Sequence, residues 1–276
     1  MGRVTSRHKV VRIDLDRETT RSIDTVAGEE PLEIRVNGET FTVTMRTPGA
    51  DVDLAHGLLR AEGVIAQRED VLSAVFCSDL DTLNVLNLTI PGRSVASAAT
   101  GTRNLATLGG CGLCGTTAVE AVESVVSDRP PEVVWEAASV VAALDELRTR
   151  QQVFAKTGGT HAAGLAPAPA GTTGPDSPVK LAIVREDIGR HNAADKVLGA
   201  ALVGEVDTRG GLLVMSSRAS FEIVQKAAVA GVSVLACVSA PSSLAIEAAD
   251  RLGVTLVAFA RGRRLSVYSH SHRIPH

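Results

Sequence analysis

Alternating apolar and polar residues mark the first part of the chain as β-rich. In the segment PLEIRVNGETFTVTMRT (31–47), apolar residues occupy every second position on both sides of Asn37 and Gly38. A period of two is typical of a strand with one buried face, and Asn-Gly between two such runs predicts a hairpin with a type I′ turn. A short helix is predicted over 51–64, and two further strands within 71–78 and 82–90.

The second half has a different rhythm. After the cysteine-containing loop, residues 117–126 and about 136–152 have the apolar spacing of helices, and 164–179, rich in Pro, Gly and Ala, is expected to be a surface loop. From residue 180 onward, short apolar strands alternate with helices, which predicts a mostly parallel sheet covered by helices.

These patterns predict an α/β fold (α+β overall) in three parts along the chain. The expected parts are a smaller β-rich N-terminal domain at 1–105, a CxxC loop with its following helix at 106–130, and an α/β domain at 131–276.

Composition narrows the class of function. The chain has 276 residues, of which 45% are hydrophobic, and a formal net charge of −3, which argues against a general nucleic-acid binder. No apolar run approaches the ~18 residues of a membrane span, and the N-terminus lacks the apolar core of a signal peptide. Four cysteines do not suggest a disulfide framework. We therefore expect a cytoplasmic protein without a membrane or nucleic-acid partner.

Polar side chains follow the predicted strands of the second half. His191 opens one helix, Ser216 and Arg218 follow the next strand, and the last strand ends in Phe259-Ala260-Arg261-Gly262-Arg263-Arg264. Ligands of open parallel sheets bind at the carboxyl ends of the strands, where helix N-termini and arginines favour phosphate. An anionic ligand is the economical interpretation. The alternatives are ordinary helix caps, a solvated arginine run, and an i, i+4 pair of His191 with Asp195.

The stretch GGCGLCG (109–115) carries a CxxC pair, Cys111 and Cys114, among four glycines. A dinucleotide-binding loop would need a strand directly before it, and a structural zinc site would need two further ligands, for which only Cys77, Cys237 and His161 are available. A nucleobase deaminase would need H-x-E, but Ala163 stands at the Glu position. A reactive thiol is favoured, because a helix N-terminus lowers the pKa of a nearby cysteine. Cys77 and Cys237 are expected to be buried and inert.

Several blocks of the sequence together resemble the formate dehydrogenase accessory sulfurtransferase family, FdhD. They are GGCGLCG, MRTPGADVDLAHGLLRAEGVI, FAKTGGTHAAGL, REDIGRHNAADKVLG and SSRASFEIVQKA. The resemblance extends from about residue 30 to 269. It implies that Cys111 carries a persulfide taken from a cysteine desulfurase, with Cys114 assisting. It also implies that the sulfur passes to the molybdenum of bis-molybdopterin guanine dinucleotide (bis-MGD), as formate dehydrogenase requires.

The resemblance further implies that Phe259 to Arg264 bind bis-MGD, that the larger domain is similar to the cytidine-deaminase fold without its zinc site, and that the protein is a homodimer. No metal site and no permanently bound cofactor are expected. Two other functions stay open at this point. One is a bis-MGD-binding chaperone without sulfur chemistry, and the other is a thiol–disulfide oxidoreductase, which lacks the usual thioredoxin-like context.

Overall fold

The strands form three sheets within the described residues of the computed structural model, which are 2–77, 83–93, 122, 126, 128–169 and 179–275. The first is a two-stranded antiparallel ribbon of β1 (Thr5–Arg12) and β2 (Thr20–Ala27). The second has four strands in the order β4-β3-β6-β5. Its members are β3 (Glu30–Val36), β4 (Glu39–Arg46), β5 (Ser73–Phe76) and β6 (Val85–Thr89).

The predicted hairpin is confirmed. Val36 pairs with Glu39 across the turn, and both turn residues have positive φ, +52° at Asn37 and +86° at Gly38. Every second residue of β3 is buried, beginning with Leu32, and this apolar face packs against α1 (Asp51–Ala61). The alternation in the sequence therefore reports the buried face directly.

A six-stranded mixed sheet forms the larger half, in the order β12-β11-β10-β9-β7-β8. Strands β9, β10 and β11 are parallel to one another, and β7 runs antiparallel to both β8 and β9. Strand β12 returns antiparallel to β11. The strands are β7 (His161–Ala166), β8 (Ile183–Asp187), β9 (Leu212–Met215), β10 (Val234–Cys237), β11 (Thr255–Arg261) and β12 (Arg264–Val267).

Helices cover both faces of this sheet. One face packs against α4 (Arg190–Val203), α5 (Phe221–Val229) and α6 (Ser243–Leu252). The other packs against α2 (Ala137–Arg150), which is followed directly by the short α3 (Gln152–Thr157). No helix within the described ranges is long and apolar enough to cross a bilayer.

Two expectations about the larger half need correction. The surface loop expected at 164–179 does not begin at residue 164, because Gly164, Leu165 and Ala166 are buried in β7. Short side chains have low β-propensity, so tertiary packing rather than local preference makes this segment a strand. The expected mostly parallel sheet also has antiparallel members: β8 to β11 run in one direction, but β7 lies antiparallel between β8 and β9, and β12 is antiparallel to β11.

Some expectations fall on residues outside the described ranges. They include nearly all of the helix predicted at 117–126 and the domain boundary at 105. Those expectations stay predictions.

The two halves meet where α1 crosses α4 at two glycines. A Cβ atom on Gly57 would lie 2.0 Å from the carbonyl oxygen of Asp195, and one on Gly199 would lie 1.8 Å from that of Asp53. Real Cβ atoms do not approach oxygen so closely, so the helices can touch only because both positions lack a side chain. The crossing therefore fixes the N-terminal sheet against the larger half.

Buried polar groups hold the same junction. Asp187 and Lys196 are almost fully buried and lie 2.7 Å apart, between Oδ2 and Nζ. Lys196 also donates to the carbonyl oxygen of Thr47 at 2.7 Å, and the backbone N–H of Thr47 donates to Asp187 at 3.1 Å. Asn192 donates to the carbonyl oxygen of Met45 at 2.7 Å. The sequence block around 185–199 thus binds the end of β4.

We predict that Gly199→Ala lowers the free energy of unfolding by about 3 kcal/mol, the upper end of the usual cost of overpacking. An alanine ordinarily stabilises a helix over glycine by about 1 kcal/mol, so the steric clash reverses the expected sign. Urea unfolding followed by circular dichroism measures the change. A variant as stable as the unchanged protein would show that the helices do not touch here. Ala142→Gly on the exposed side of α2 is the control, with an expected loss of about 1 kcal/mol.

Candidate functional site

The carboxyl ends of β8, β9, β10 and β11 lie at one edge of the six-stranded sheet. Because β7 runs the other way, its first residue, His161, lies at this same edge and pairs with Asp187. The predicted ligand-binding stretches therefore do gather at one edge, and β7 adds a histidine to them. We call this the site edge, formed by residues 160–161, 187–191, 216–220, 238–240 and 259–264.

An inner cavity of about 590 Å³ opens at the site edge. His161, Ser216 and Arg261 line it from the sheet, and Asp145 and Arg148 line it from α2. Its size is within the usual range for a small-molecule site. Ser216 is held in place because its Oγ accepts a hydrogen bond from the N–H of Ala162 at 2.8 Å. The structure thus brings three of the predicted site residues, Ser216, Ala260 and Arg261, to one cavity.

A second cavity, of about 1020 Å³, lies on the other side of the arginine run, and we call it the outer cavity. Gly262, Arg263 and Arg264 line it, together with alanines of α2. Asp145 borders both cavities, so the two are neighbours.

The predicted arginine run is a β-hairpin turn. Arg261 at the end of β11 pairs with Arg264 at the start of β12, leaving Gly262 and Arg263 as the two turn residues. Gly262 has a φ of +61°, as the first residue of a type II′ turn requires. Phe259, just before it, also has positive φ, at +51°, and its side chain is half exposed. Ala260 is buried and lines the inner cavity.

His161 is surrounded by positive charge. Partial burial lowers its pKa below the usual 6.5, and the nearby Arg190, His191 and Arg218 lower the pKa further. The Nε atom of Arg190 is buried and has no hydrogen-bond partner among the described residues. His161 is therefore mainly neutral at pH 7, and this part of the site edge favours an anion.

His191 and Arg218 line neither cavity. The Nε2 atom of His191 lies 2.7 Å from Oε2 of Glu222 and 3.1 Å from Oγ of Ser220. The contact between His191 and Glu222 lowers the pKa of the Glu222 carboxyl. The alternative pairing of His191 with Asp195 is not seen, because Asp195 forms a buried ion pair with Lys226 at 2.7 Å. Arg218 is exposed and acts on His161 only through its charge.

The hydroxyl of Ser242, which follows β10, is an ordinary helix cap. Ser242 is the N-cap of α6, where its Oγ accepts a hydrogen bond from the N–H of Ala245 at 3.2 Å.

The two cysteines proposed as catalytic, Cys111 and Cys114, lie outside the described residues, so their assignment stays a prediction. Cys237 is buried as expected, and burial raises the pKa of its thiol to about 12. Cys77 is partly exposed rather than buried, because it follows the end of β5. Within the described ranges, no cluster of three or more His, Cys, Asp or Glu side chains could hold a metal ion.

Sequence reasoning missed the contribution of α2 and α3 to the site. Arg148 lies over the ring of Phe154, with its Cζ 4.5 Å from the ring centroid, and both residues line the inner cavity with Asp145. The helical pattern of α2 predicts its buried side, but nothing in that pattern says that its exposed side borders a cavity. The segment FAKTGGTH, noticed only as a block of the resemblance, is the part of the sequence that pointed here.

Comparison with known proteins gives the class. Residues 27–275 match the FdhD/NarQ family, so the chain belongs to that family. The sulfur carrier protein FdhD of Nocardia farcinica is 48% identical over 99% of this chain and 96% of its own length. The protein of that name from Mycobacterium tuberculosis is 45% identical over 99% and 100%. A crystal structure of a formate dehydrogenase accessory protein from Desulfotalea psychrophila has the same fold, with a TM-score of 0.76 at 22% identity over 99% and 100% of the two chains.

We predict that His161 titrates below pH 6.5 and that Arg218→Gln raises its pKa, because removing a neighbouring cation makes the protonated ring less unfavourable. NMR titration of the histidine ring protons measures both values, with His161→Asn used to assign the resonance. Arg263→Gln, in the outer cavity, is the control and should leave the titration unchanged. A His161 pKa above 6.5 in the unchanged protein would contradict the cationic surroundings.

Proposed function

We propose that the protein is a sulfurtransferase that carries persulfide sulfur from a cysteine desulfurase to bis-MGD, and so activates formate dehydrogenase. The observation that carries the proposal is the cationic site edge with its two adjoining cavities, in a chain nearly half identical to proteins named sulfur carriers. The name of the D. psychrophila protein supplies the client, formate dehydrogenase. The proposal includes a homodimer located in the cytoplasm.

The site edge suits an elongated anionic substrate. Each guanine dinucleotide half of bis-MGD carries a pyrophosphate, and Arg261, Arg263 and Arg264 offer planar donors that match phosphate oxygens. Ser216 keeps its hydroxyl proton available for a further acceptor, since its oxygen accepts from Ala162. On this proposal, Phe259 to Arg264 and Ser216 contact the substrate, and Arg218 and His191 contribute through charge.

Sulfur transfer follows from thiol chemistry. The Cys111 thiolate attacks the outer sulfur of the desulfurase persulfide, the desulfurase thiolate leaves, and Cys111 carries the persulfide. The Cys114 thiolate then attacks the inner sulfur of Cys111, which expels the outer sulfur as hydrosulfide toward the molybdenum and leaves a Cys111–Cys114 disulfide. A dithiol reductant restores the pair for the next cycle. His161, neutral at pH 7, is available to exchange a proton at the site edge.

A likeness of the six-stranded sheet to the cytidine-deaminase fold belongs to this proposal. The placement of β7 antiparallel between β8 and β9 supports it.

The experiment on sulfur loading uses mass spectrometry. After incubation with a cysteine desulfurase and cysteine, one added sulfur, removable by reductant, is expected on the peptide that holds Cys111 and Cys114. Cys111→Ala should abolish the loading and the maturation of formate dehydrogenase. Cys77→Ala is the matched control, because Cys77 is a partly exposed thiol that directly follows β5 of the N-terminal sheet. Equal loss in both variants, or sulfur on Cys77, would contradict the assignment.

A cofactor chaperone without sulfur chemistry is the second candidate, because the cavities and cations of the described site account for binding alone. The double variant Cys111→Ala with Cys114→Ala separates the two. The carrier proposal predicts that this variant still binds bis-MGD, measured by co-purification of molybdenum and guanine nucleotide, but does not activate formate dehydrogenase. Activation at the level of the unchanged protein would favour the chaperone.

A further inference from the structure

The exposed side of α2 presents the one carboxylate among the described residues that line the two cavities, where the other charged side chains are arginines. Asp145 borders both the inner and the outer cavity, and its neighbours in those cavities include Arg148, Arg261 and Arg264. Its side chain is exposed, and it makes no hydrogen bond or ion pair with the other described residues. A carboxylate repels phosphate, so it works against the very anion that the arginines attract. A carboxylate accepts hydrogen bonds, so we expect it to face a substrate group that donates them.

The geometry of α2 places Asp145 next to an aromatic platform. Residues three apart on a helix lie on the same side, so Asp145 and Arg148 are neighbours on the exposed side. One face of the Arg148 guanidinium lies on the ring of Phe154, at 4.5 Å from Cζ to the ring centroid. The opposite face of a guanidinium stacked in this way is suited to a flat ring. A nucleobase is recognised by stacking on a flat group and by hydrogen bonds to its edge. The Arg148 guanidinium offers the flat group, and the Asp145 carboxylate offers the hydrogen-bond acceptor.

Among the common bases, guanine presents two adjacent donors, the N1–H and the exocyclic N2 amino group, which match the two oxygens of a carboxylate. Adenine presents an acceptor at N1 and has no amino group at C2. We propose that Asp145 is the residue that reads guanine in the nucleotide ends of the substrate, with Arg148 stacking on the base and the arginines of the hairpin turn binding the phosphates. This inference rests on the proposed function, because the substrate is taken to carry guanine dinucleotides.

The assignment gives the two sides of the inner cavity different roles, one in binding the base and the other in binding the phosphates. The base lies toward α2, where the carboxylate and the Arg148–Phe154 pair are. The phosphates lie toward the sheet edge, where His161 and Arg261 are. Asp145 is thus a specificity-determining residue and has no part in sulfur transfer.

Isothermal titration calorimetry of the full chain tests the assignment, with GDP, ADP and xanthosine diphosphate (XDP) as probes. The unchanged protein should bind GDP about tenfold or more tightly than ADP, the value of a charge-assisted donor pair. Asp145→Asn should lose about tenfold or more in GDP affinity and gain affinity for XDP. Xanthine keeps the N1–H donor and has a carbonyl oxygen in place of the amino group, which an asparagine amide complements. A gain of binding cannot come from misfolding.

Arg148→Ala is the matched variant on the same side of α2. Stacking does not select among bases, so this change should weaken GDP and ADP by similar factors and leave their ratio unchanged.

Three results would overturn the assignment. Equal binding of GDP and ADP by the unchanged protein would show that the base is not read. A uniform rise in the affinity of Asp145→Asn for all three nucleotides would show that the carboxylate only repels phosphate. If GDP does not bind at all, both the assignment and the proposed docking of the substrate fail, while sulfur loading of Cys111 would still be judged by its own experiment.

Discussion

The fully buried pair of Asp187 and Lys196 is the interaction on which the site depends. A buried charge is stable only when it is paired and its remaining hydrogen-bonding capacity is used. Here Oδ1 of Asp187 accepts from the N–H of Gly189 at 2.8 Å, and Oδ2 accepts from the N–H of Thr47 at 3.1 Å. These bonds leave one arrangement for the turn between β8 and α4. Arg190 and His191, the next residues, consequently begin α4 at a fixed place on the site edge.

The same network explains why the site edge is cationic. Two carboxylates of this region are paired inside the protein: Asp187 with Lys196, and Asp195 with Lys226. The positive charges left near the surface include those of Arg190 and Arg218, and Glu222 is hydrogen-bonded to His191. Buried ion pairs need not add stability over apolar packing, but these ones decide which charges reach the surface. The same buried ion pairs therefore determine both the position of the backbone and the surface charge at the site edge.

Local pattern predicted those parts of the fold whose conformation local chemistry determines. The Asn37–Gly38 hairpin follows from positive φ, and the strand–helix alternation after residue 180 follows from apolar period. Strand β7 was not predicted, because its residues, His-Ala-Ala-Gly-Leu-Ala, become a central strand only through packing by both layers of helices. The contribution of α2 to the site was not predictable either. Polar side chains are found both on a helix face that meets bulk solvent and on one that borders a cavity, so the sequence does not distinguish the two. The cysteine pair, which local sequence singled out most clearly, lies outside the described residues.

On the proposed function, binding of the substrate is linked to protonation of His161, which is neutral in the free protein at pH 7. The cations around His161 disfavour its protonated form, and an anionic pyrophosphate bound among them would compensate that charge and raise its pKa. Linkage makes the effect reciprocal, so that protonation of His161 strengthens binding of the anion by the same factor. Docking in slightly acidic solution would then take up a proton at the edge where sulfur is delivered. The site thus couples the charge of its substrate to the protonation of the one histidine in the inner cavity, among the residues that line it.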